Sequence, residues 1–493
     1  MLHSNRPKRG ALLACLAGGL AISCADSAPA VHDGPLPERV LLISLDTLRA
    51  DHTGFGGYSK PTTPFLDSLA ARGVVFENHF ANSNCTLPSH ATMLTGLHFP
   101  SHGVRPDDLD KAAIHVLPAS AQTLAERFQA EGYFTAAFTS HGAWLNAEYG
   151  FDQGFDHFVS RWCDADRTIR DYLQLLDEAP HQNSFTFLHF FDIHSDSGQQ
   201  GPCLPYRSSK ELVEQFAGEI PADFTGCSST PGRETRCQSN YLHDISNKIE
   251  SVDEETLEFI VGLYDAGVRK LDDQLRDLFA ELERRGTLEN TLIVITADHG
   301  ESFLEHGQML HDGHNDEVAR VPLLILLPES SGVPPRRIRA LTQSTDLAPT
   351  LLDLCGFEPI GQTASLAGAV MLGEEPPDAL VLFQGHILIG SDEAGEYKFI
   401  KTGRSPEFYD RSLDPEERHN LLSDKSFAVD QRQRLLAIYR SFEALTRECR
   451  SLNTSLKSLD QGAGPQLTPE QIAELKALGY LGGEDTTGTT EHP

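Results

Sequence analysis

An α/β fold, with a mainly parallel central sheet followed by a smaller antiparallel sheet, is predicted by three features of this sequence. Short apolar runs rich in β-branched and aromatic residues recur along the chain and read as buried strands. Helical patterns separate them, so strand and helix alternate as in a doubly wound sheet. Three of the runs finish in ionisable residues: "RVLLISLDT" at Asp46, "SFTFLHFFDIH" at Asp192 and His194, and "TLIVITADHG" at Asp298 and His299. Ligands of such sheets bind outside the carboxyl ends of the strands. Residues far apart in sequence are therefore expected to meet at one site.

The elements follow in order. In residues 1–24, Arg6, Lys8 and Arg9 precede the apolar run "GALLACLAGGLAIS", which is too short to span a bilayer and reads as an export signal. It ends at Cys24 after Ala21-Ile22-Ser23, as at a bacterial lipoprotein site. The chain is thus expected to be exported to the periplasm or cell surface and lipid-anchored at Cys24. Residues 25–37 form a polar, Pro-containing linker. The main domain, 38–362, opens with the strand ending at Asp46 and continues with the helix pattern "TPFLDSLAARG". In "TLPSHATMLTG", Pro88 suits the first residue of a helix, because it has no N–H to leave unpaired there and its φ is already helical. That puts Thr86 just before a helix N-terminus, whose positive end attracts oxyanions. The helix patterns "AQTLAERFQAEG" and "LYDAGVRKLDDQLRDLFAELERRG" separate the remaining strands. Residues 363–445 carry the short runs "ALVLFQGHILIG" and "EYKFIKTG", which predict a small antiparallel sheet with a helix. A tail, 446–493, holds one helix, "TPEQIAELKALGYL".

Composition narrows the function. Of 493 residues, 71 are acidic and 40 basic, a formal charge of −31 that repels phosphate backbones at long range and argues against a nucleic-acid partner. No segment after the signal is apolar enough to cross a membrane. Of nine cysteines, Cys15 and Cys24 fall in the signal region. Cys203, Cys227 and Cys237 lie in a Gly/Pro/Ser-rich stretch that an oxidising compartment would allow to be stapled.

Asp46, Asp298 and His299 supply two carboxylates and an imidazole, a set that suits Zn²⁺ or Mn²⁺ and also takes Mg²⁺ or Ca²⁺. Asp192, His194 and His311 make a second candidate cluster. The stretch "SNCTLPSHATMLTG" leaves two candidate nucleophiles, the Cys85 sulfur and the Thr86 hydroxyl.

Four blocks, "ISLDTLRADHTGFGGY", "TTPFLDSLAARGVVFENHFANSNCTLPSHATMLTGLHFPSHGV", "ADHGESFLEHGQMLH" and "FYDRSLDPEERHNLL", resemble the sulfatase family of the alkaline phosphatase superfamily, in order from about residue 38 to 425. The resemblance implies an alkaline-phosphatase-like sandwich with a small C-terminal sheet subdomain, and a metal-dependent ester hydrolase. Sulfatases proper carry Cys or Ser two residues before this proline and convert it to formylglycine. Here that position is Thr86, Cys85 lies one place out of register, and His90 stands where the family arginine belongs. Threonine cannot become formylglycine, because its β-carbon already bears a methyl group. The departures resemble the phosphodiesterases and phosphoethanolamine transferases of the superfamily, which use a metal-bound threonine. The implied reaction is attack by Thr86 on a phosphate or sulfate ester through a covalent intermediate, phosphoester favoured. His194 and His311 would assist the leaving oxygen and the water, and Asn84 and His90 would contact the transferring group. A small-molecule, glycan or lipid-headgroup ester is the expected substrate. A sulfatase in the strict sense and a catalytically silent surface binding protein are the alternatives.

Overall fold

Alternation along β1 (Arg39–Leu45) sends Leu41, Ile43 and Leu45 into one apolar cluster and Val40 and Leu42 into another on the opposite face. The same split recurs in "TLIVIT", where Ile293 and Ile295 face one way and Leu292 and Val294 the other. Strands buried on both faces must be covered by helices on both sides, which makes the fold a three-layer sandwich. A computed structural model describes residues 36–105, 116–140, 144–178, 183–195, 204–206, 208–221, 224, 226, 239–248, 251–401 and 406–459 of the chain.

The remaining strands are β2 (Val74–Phe80), β3 (Phe134–Thr139), β4 (His157–Ser160), β5 (Ser184–Phe190), β6 (Thr291–Thr296), β7 (Ser302–Phe303), β8 (Met309–Leu310), β9 (Leu323–Leu326), β10 (Arg336–Gln343), β11 (Val381–Phe383), β12 (Ile387–Asp392), β13 (Gly395–Ile400) and β14 (Glu407–Asp410). The main sheet has eight strands in the order β10-β2-β9-β6-β1-β5-β3-β4. Only β9 runs antiparallel to its neighbours, β2 and β6. Central β1 is paired in parallel with β5 and β6. The carboxyl ends of all three therefore point the same way, which carries Asp46, Asp192 and Asp298 to one edge.

The long helix Glu254–Arg284 begins earlier than its apolar periodicity suggested, because Asp253 caps it by accepting from Thr256 N at 2.9 Å. Its stripe of Phe259, Ile260, Leu263, Val268, Leu271, Leu275 and Leu278 is buried in one face of the sandwich. At "TLPSHATMLT" the helix runs Thr86–Thr95, so Thr86 is its first residue rather than the one before it, and Pro88 is its third rather than its first as the sequence suggested. Proline is tolerated there because first-turn N–H groups have no partner within the helix.

After the main sheet, β11 to β14 form a four-stranded antiparallel sheet. Leu388 and Phe408 of this sheet pack against Ile438, Phe442 and Cys449 of the helix Arg432–Leu459. That helix crosses residue 445, where the sequence suggested the subdomain would give way to a tail. Its far end returns to the main domain, where Asn453 Nδ2 donates to Ser101 O at 2.9 Å. The signal region, the Cys203/Cys227/Cys237 stretch and the expected helix at 468–481 lie outside the described residues. Among the described residues, Cys163, Cys355 and Cys449 are free thiols, and no helix is long and apolar enough to cross a membrane.

Candidate active site

Three side chains converge where β1 and β6 end. Ligand atoms of Asp46, Asp298 and His299 all lie within 4.8 Å of one another, and all three residues are buried. Backbone conformation forces the convergence. Thr47, directly after Asp46, has φ of 61°, a left-handed conformation that is costly for a β-branched residue. It turns the Thr47 N–H toward Asp298 Oδ1, at 3.2 Å. The Tyr264 hydroxyl holds the turn, donating to Thr47 O at 2.8 Å and accepting from Arg49 N at 3.0 Å.

The donor set fits a divalent cation. Asp46 Oδ1, Asp298 Oδ2 and His299 Nε2 are buried without a hydrogen-bond partner. Burial pushes Asp46 up to about 8, and burial together with the neighbouring Asp46 holds Asp298 well above the usual carboxylate range. Burial also holds His299 well below the ordinary imidazole value, so it is neutral and fit to ligate. Two carboxylates this close and this dry are stable as anions only with a positive charge between them.

Thr86 faces this cluster, with Oγ1 3.4 Å from Asp46 Oδ2. Cys85, one residue earlier, sits in the N-cap position with extended backbone. Its sulfur is half-buried rather than packed in the core, and donates to Asn84 Oδ1 at 3.4 Å. His90 does not reach outward to a substrate. Its Nδ1 donates to Thr86 O at 2.8 Å and its Nε2 accepts from Ser44 Oγ at 2.9 Å, so the ring ties the Thr86 backbone to β1.

The second cluster assembles only in part. His311 lies between His299 and His194, with ring centroids 4.6 Å and 5.2 Å away. Asp192 turns elsewhere: its Oδ1 lies 3.5 Å from Lys270 Nζ on the long helix. The cause is local, since the buried carboxylate takes the cation that helix offers. Asp46, Asp298 and His299 are the converging group among the described residues.

Two participants were missed from sequence. His189 of β5 lies opposite Ser44 in the parallel register, and its Nε2 donates to Asp46 Oδ2 at 3.1 Å. Burial lowers it to about 3, which keeps it neutral. Glu301, fully buried, lies 3.8 Å from His311 Nδ1. Burial opposes charge on His311, but this carboxylate outweighs it and pushes His311 up to about 9. The strand alternation that placed hydrophobes could have flagged His189, an imidazole at an inward position. Glu301 gave no periodic signal.

The sulfatase family model matches residues 38–357, well over half of the chain. The chain belongs to the sulfatase family. Within that family it is 25% identical over 88% of its length to 87% of an ulvan-active sulfatase from Formosa agariphila. It is 23% identical over 79% of its length to 85% of a Δ4,5-hexuronate-2-O-sulfatase from Bacteroides thetaiotaomicron. Among solved structures, a phosphonate monoester hydrolase of Agrobacterium radiobacter shares the fold, with a TM-score of 0.61, 21% identity, and coverage of 83% of this chain and 96% of that one. A sulfatase-family ester hydrolase is what fold and family establish, with the mainly parallel central sheet and separate small antiparallel sheet as expected.

Proposed function

We propose that this sulfatase-family hydrolase attacks its ester with Thr86 rather than Cys85, and that it prefers phospho- or phosphonate esters to sulfate esters. The observation that carries the reading is the position of Thr86 Oγ1, 3.4 Å from Asp46 Oδ2 and on the first residue of a ten-residue helix. Asp46, Asp298 and His299 would hold a divalent cation, whose Lewis acidity lowers the hydroxyl pKa and offsets charge on the ester. The first-turn N–H groups draw the ester's anionic oxygens toward Thr86. Thr86 Oγ1, its proton released to solvent, would then attack phosphorus in line, and the alcohol would leave as a covalent Thr86 ester forms. His311, kept protonated by Glu301, gives a proton to the leaving oxygen. His194, its ring neighbour, assists the water that releases the product.

The rival reading is a sulfuric ester hydrolase, favoured by the names of the two relatives, one ulvan-active and the other a hexuronate-2-O-sulfatase. A threonine at the nucleophile position separates the two readings. Thr86→Ala should lose several powers of ten in kcat/KM while retaining metal, and Cys85→Ala should keep most of its activity. Aryl phosphonates and phosphodiesters should turn over faster than aryl sulfates. Formylglycine at residue 85, found by mass spectrometry together with an inactive Cys85→Ala, would overturn the proposal. Export and anchoring at Cys24 belong to the same reading, which places the ester outside the cytoplasm.

A further inference from the structure

We infer that Gln384 of the C-terminal sheet and Asn84 beside the nucleophile form a positioning pair that sets the spacing between Thr86 and His311. The inference rests on the reading of Thr86 as the nucleophile. Gln384 lies in the turn between β11 and β12, where His386 N donates to Phe383 O at 3.3 Å. Gln384 and Gly385 have φ of 49° and 71°, so the turn is of the mirror-image type that favours Asn, Asp or Gly at both central positions. A glutamine is strained there, and strain of this kind persists where the surroundings impose it. The tip is pressed onto the main domain, since a β-carbon on Gly385 would come within 2.8 Å of Pro100 Cγ.

The contacts account for the strained residue. Gln384 N donates to Asn82 O at 2.8 Å, and Asn82 Nδ2 donates back to Leu382 O at 3.1 Å. Asn82 is thereby tied to the hairpin by one backbone and one side-chain hydrogen bond. The Gln384 side chain continues the line, its Nε2 donating to Asn84 Oδ1. Asn84 Nδ2 in turn donates to His311 O at 2.6 Å and to Gly313 O at 3.3 Å. One amide thus joins three segments: the approach to Thr86, the loop that carries His311, and the C-terminal hairpin. The hydrogen bonds donated by the two side-chain amides go to each other and to the carbonyls of His311 and Gly313, so both residues act through backbone placement.

The chain of donors has a direction, which makes it testable with near-isosteric changes. Gln384→Glu cannot donate to Asn84 Oδ1. If the Asn84 amide flips to compensate, its oxygen meets the carbonyls of His311 and Gly313. Asn84→Asp places an oxygen against the same carbonyls. With a chromogenic aryl phosphonate, each variant is expected to lower kcat roughly 10- to 100-fold with little change in KM, the scale of a displacement of about 1 Å at reacting groups. The double variant Gln384→Ala/Asn84→Ala should be no worse than the more impaired of the two single alanine variants, because both break one linkage and neither adds a charge. Hydrogen exchange gives a readout independent of turnover. Peptides spanning residues 309–316 should exchange faster in either variant, while those in the Glu254–Arg284 helix stay protected. Unchanged exchange in that loop would refute the linkage, as would additive losses in the double variant or losses confined to KM. If Thr86→Ala keeps activity but the loop still loosens in Gln384→Glu, the nucleophile reading fails and the linkage stands.

Discussion

Thr47 and Tyr264 show how the site is held at the scale of single residues. A β-branched residue with positive φ costs on the order of 1–3 kcal/mol, so the turn after β1 must be enforced from outside. Tyr264 enforces it with one hydroxyl that both donates and accepts. Tyr264→Phe should therefore lower stability by about 1–3 kcal/mol in urea unfolding, since Thr47 O and Arg49 N are left buried and unpaired. It should also weaken metal retention more than a distant core change of equal destabilisation. His189 acts on the ligand cluster in a comparable way, by hydrogen-bonding Asp46. His189→Ala is expected to lower metal affinity about 10- to 100-fold, measured by competition with a chromogenic chelator, with the fold intact by circular dichroism. Unaltered affinity would show that Asp46 needs no such partner. Asp46, Thr86, Asp298 and His299 were legible in the sequence because strand ends and the Pro88 register fix where they must go. His189 and Glu301 were not, because a buried imidazole or carboxylate reveals its partner only through the register of strands distant in the chain.

Among elements, the β7–β8 ribbon and the loop around it matter most, because His311 follows β8 directly. His306 in this loop bridges two bodies: Nδ1 lies 2.7 Å from Glu317 Oε1, and Nε2 lies 2.9 Å from Glu416 O near the C-terminal sheet. Both partners are acceptors, so both ring nitrogens must carry protons and the ring must be charged. Burial opposes that charge, but Glu317 and the Glu416 carbonyl outweigh it and raise the pKa above the ordinary 6.5, with Glu417 adding to the effect. A raised folded pKa contributes stability that is complete below about 6.5 and is lost as pH rises through the folded value. The stability difference between wild type and His306→Gln should accordingly shrink as pH increases, read from denaturation midpoints across that window. A difference independent of pH would mean that the bridge is formed by neutral histidine. Strands and long helices were readable from periodicity. The helix start at Glu254 and the run of Arg432–Leu459 past residue 445 were not, since a cap and a distant docking surface override local pattern.

At the scale of the whole molecule, the C-terminal sheet is joined to the main domain by buried charge as well as by the Gln384 hairpin. Lys398 of β13 is fully buried, with Nζ 2.7 Å from Glu417 Oε1 and 3.4 Å from Asp316 Oδ1, and Arg411 pairs with Asp316 and Glu396. Replacing Lys398 by Met leaves Glu417 buried beside Asp316 without its cation. We expect a loss of about 3–5 kcal/mol, seen as a lower denaturant midpoint. A loss below about 1 kcal/mol would show that the remaining arginine suffices. Palmitate labelling of the full chain should depend on Cys24 and disappear in Cys24→Ala, and equal absence of label in both would remove the anchor. The order of the main sheet has a further consequence for how the chain is made. β2 leaves the ribosome early, yet both its neighbours, β9 and β10, follow only after β6. At about 5–20 residues per second, "VVFENHF" waits roughly 10–50 s for a partner. Throughout that interval it is an exposed strand edge next to the loop that leads to Thr86, so a newborn chain cannot bury β2 until roughly two-thirds of its residues have been made.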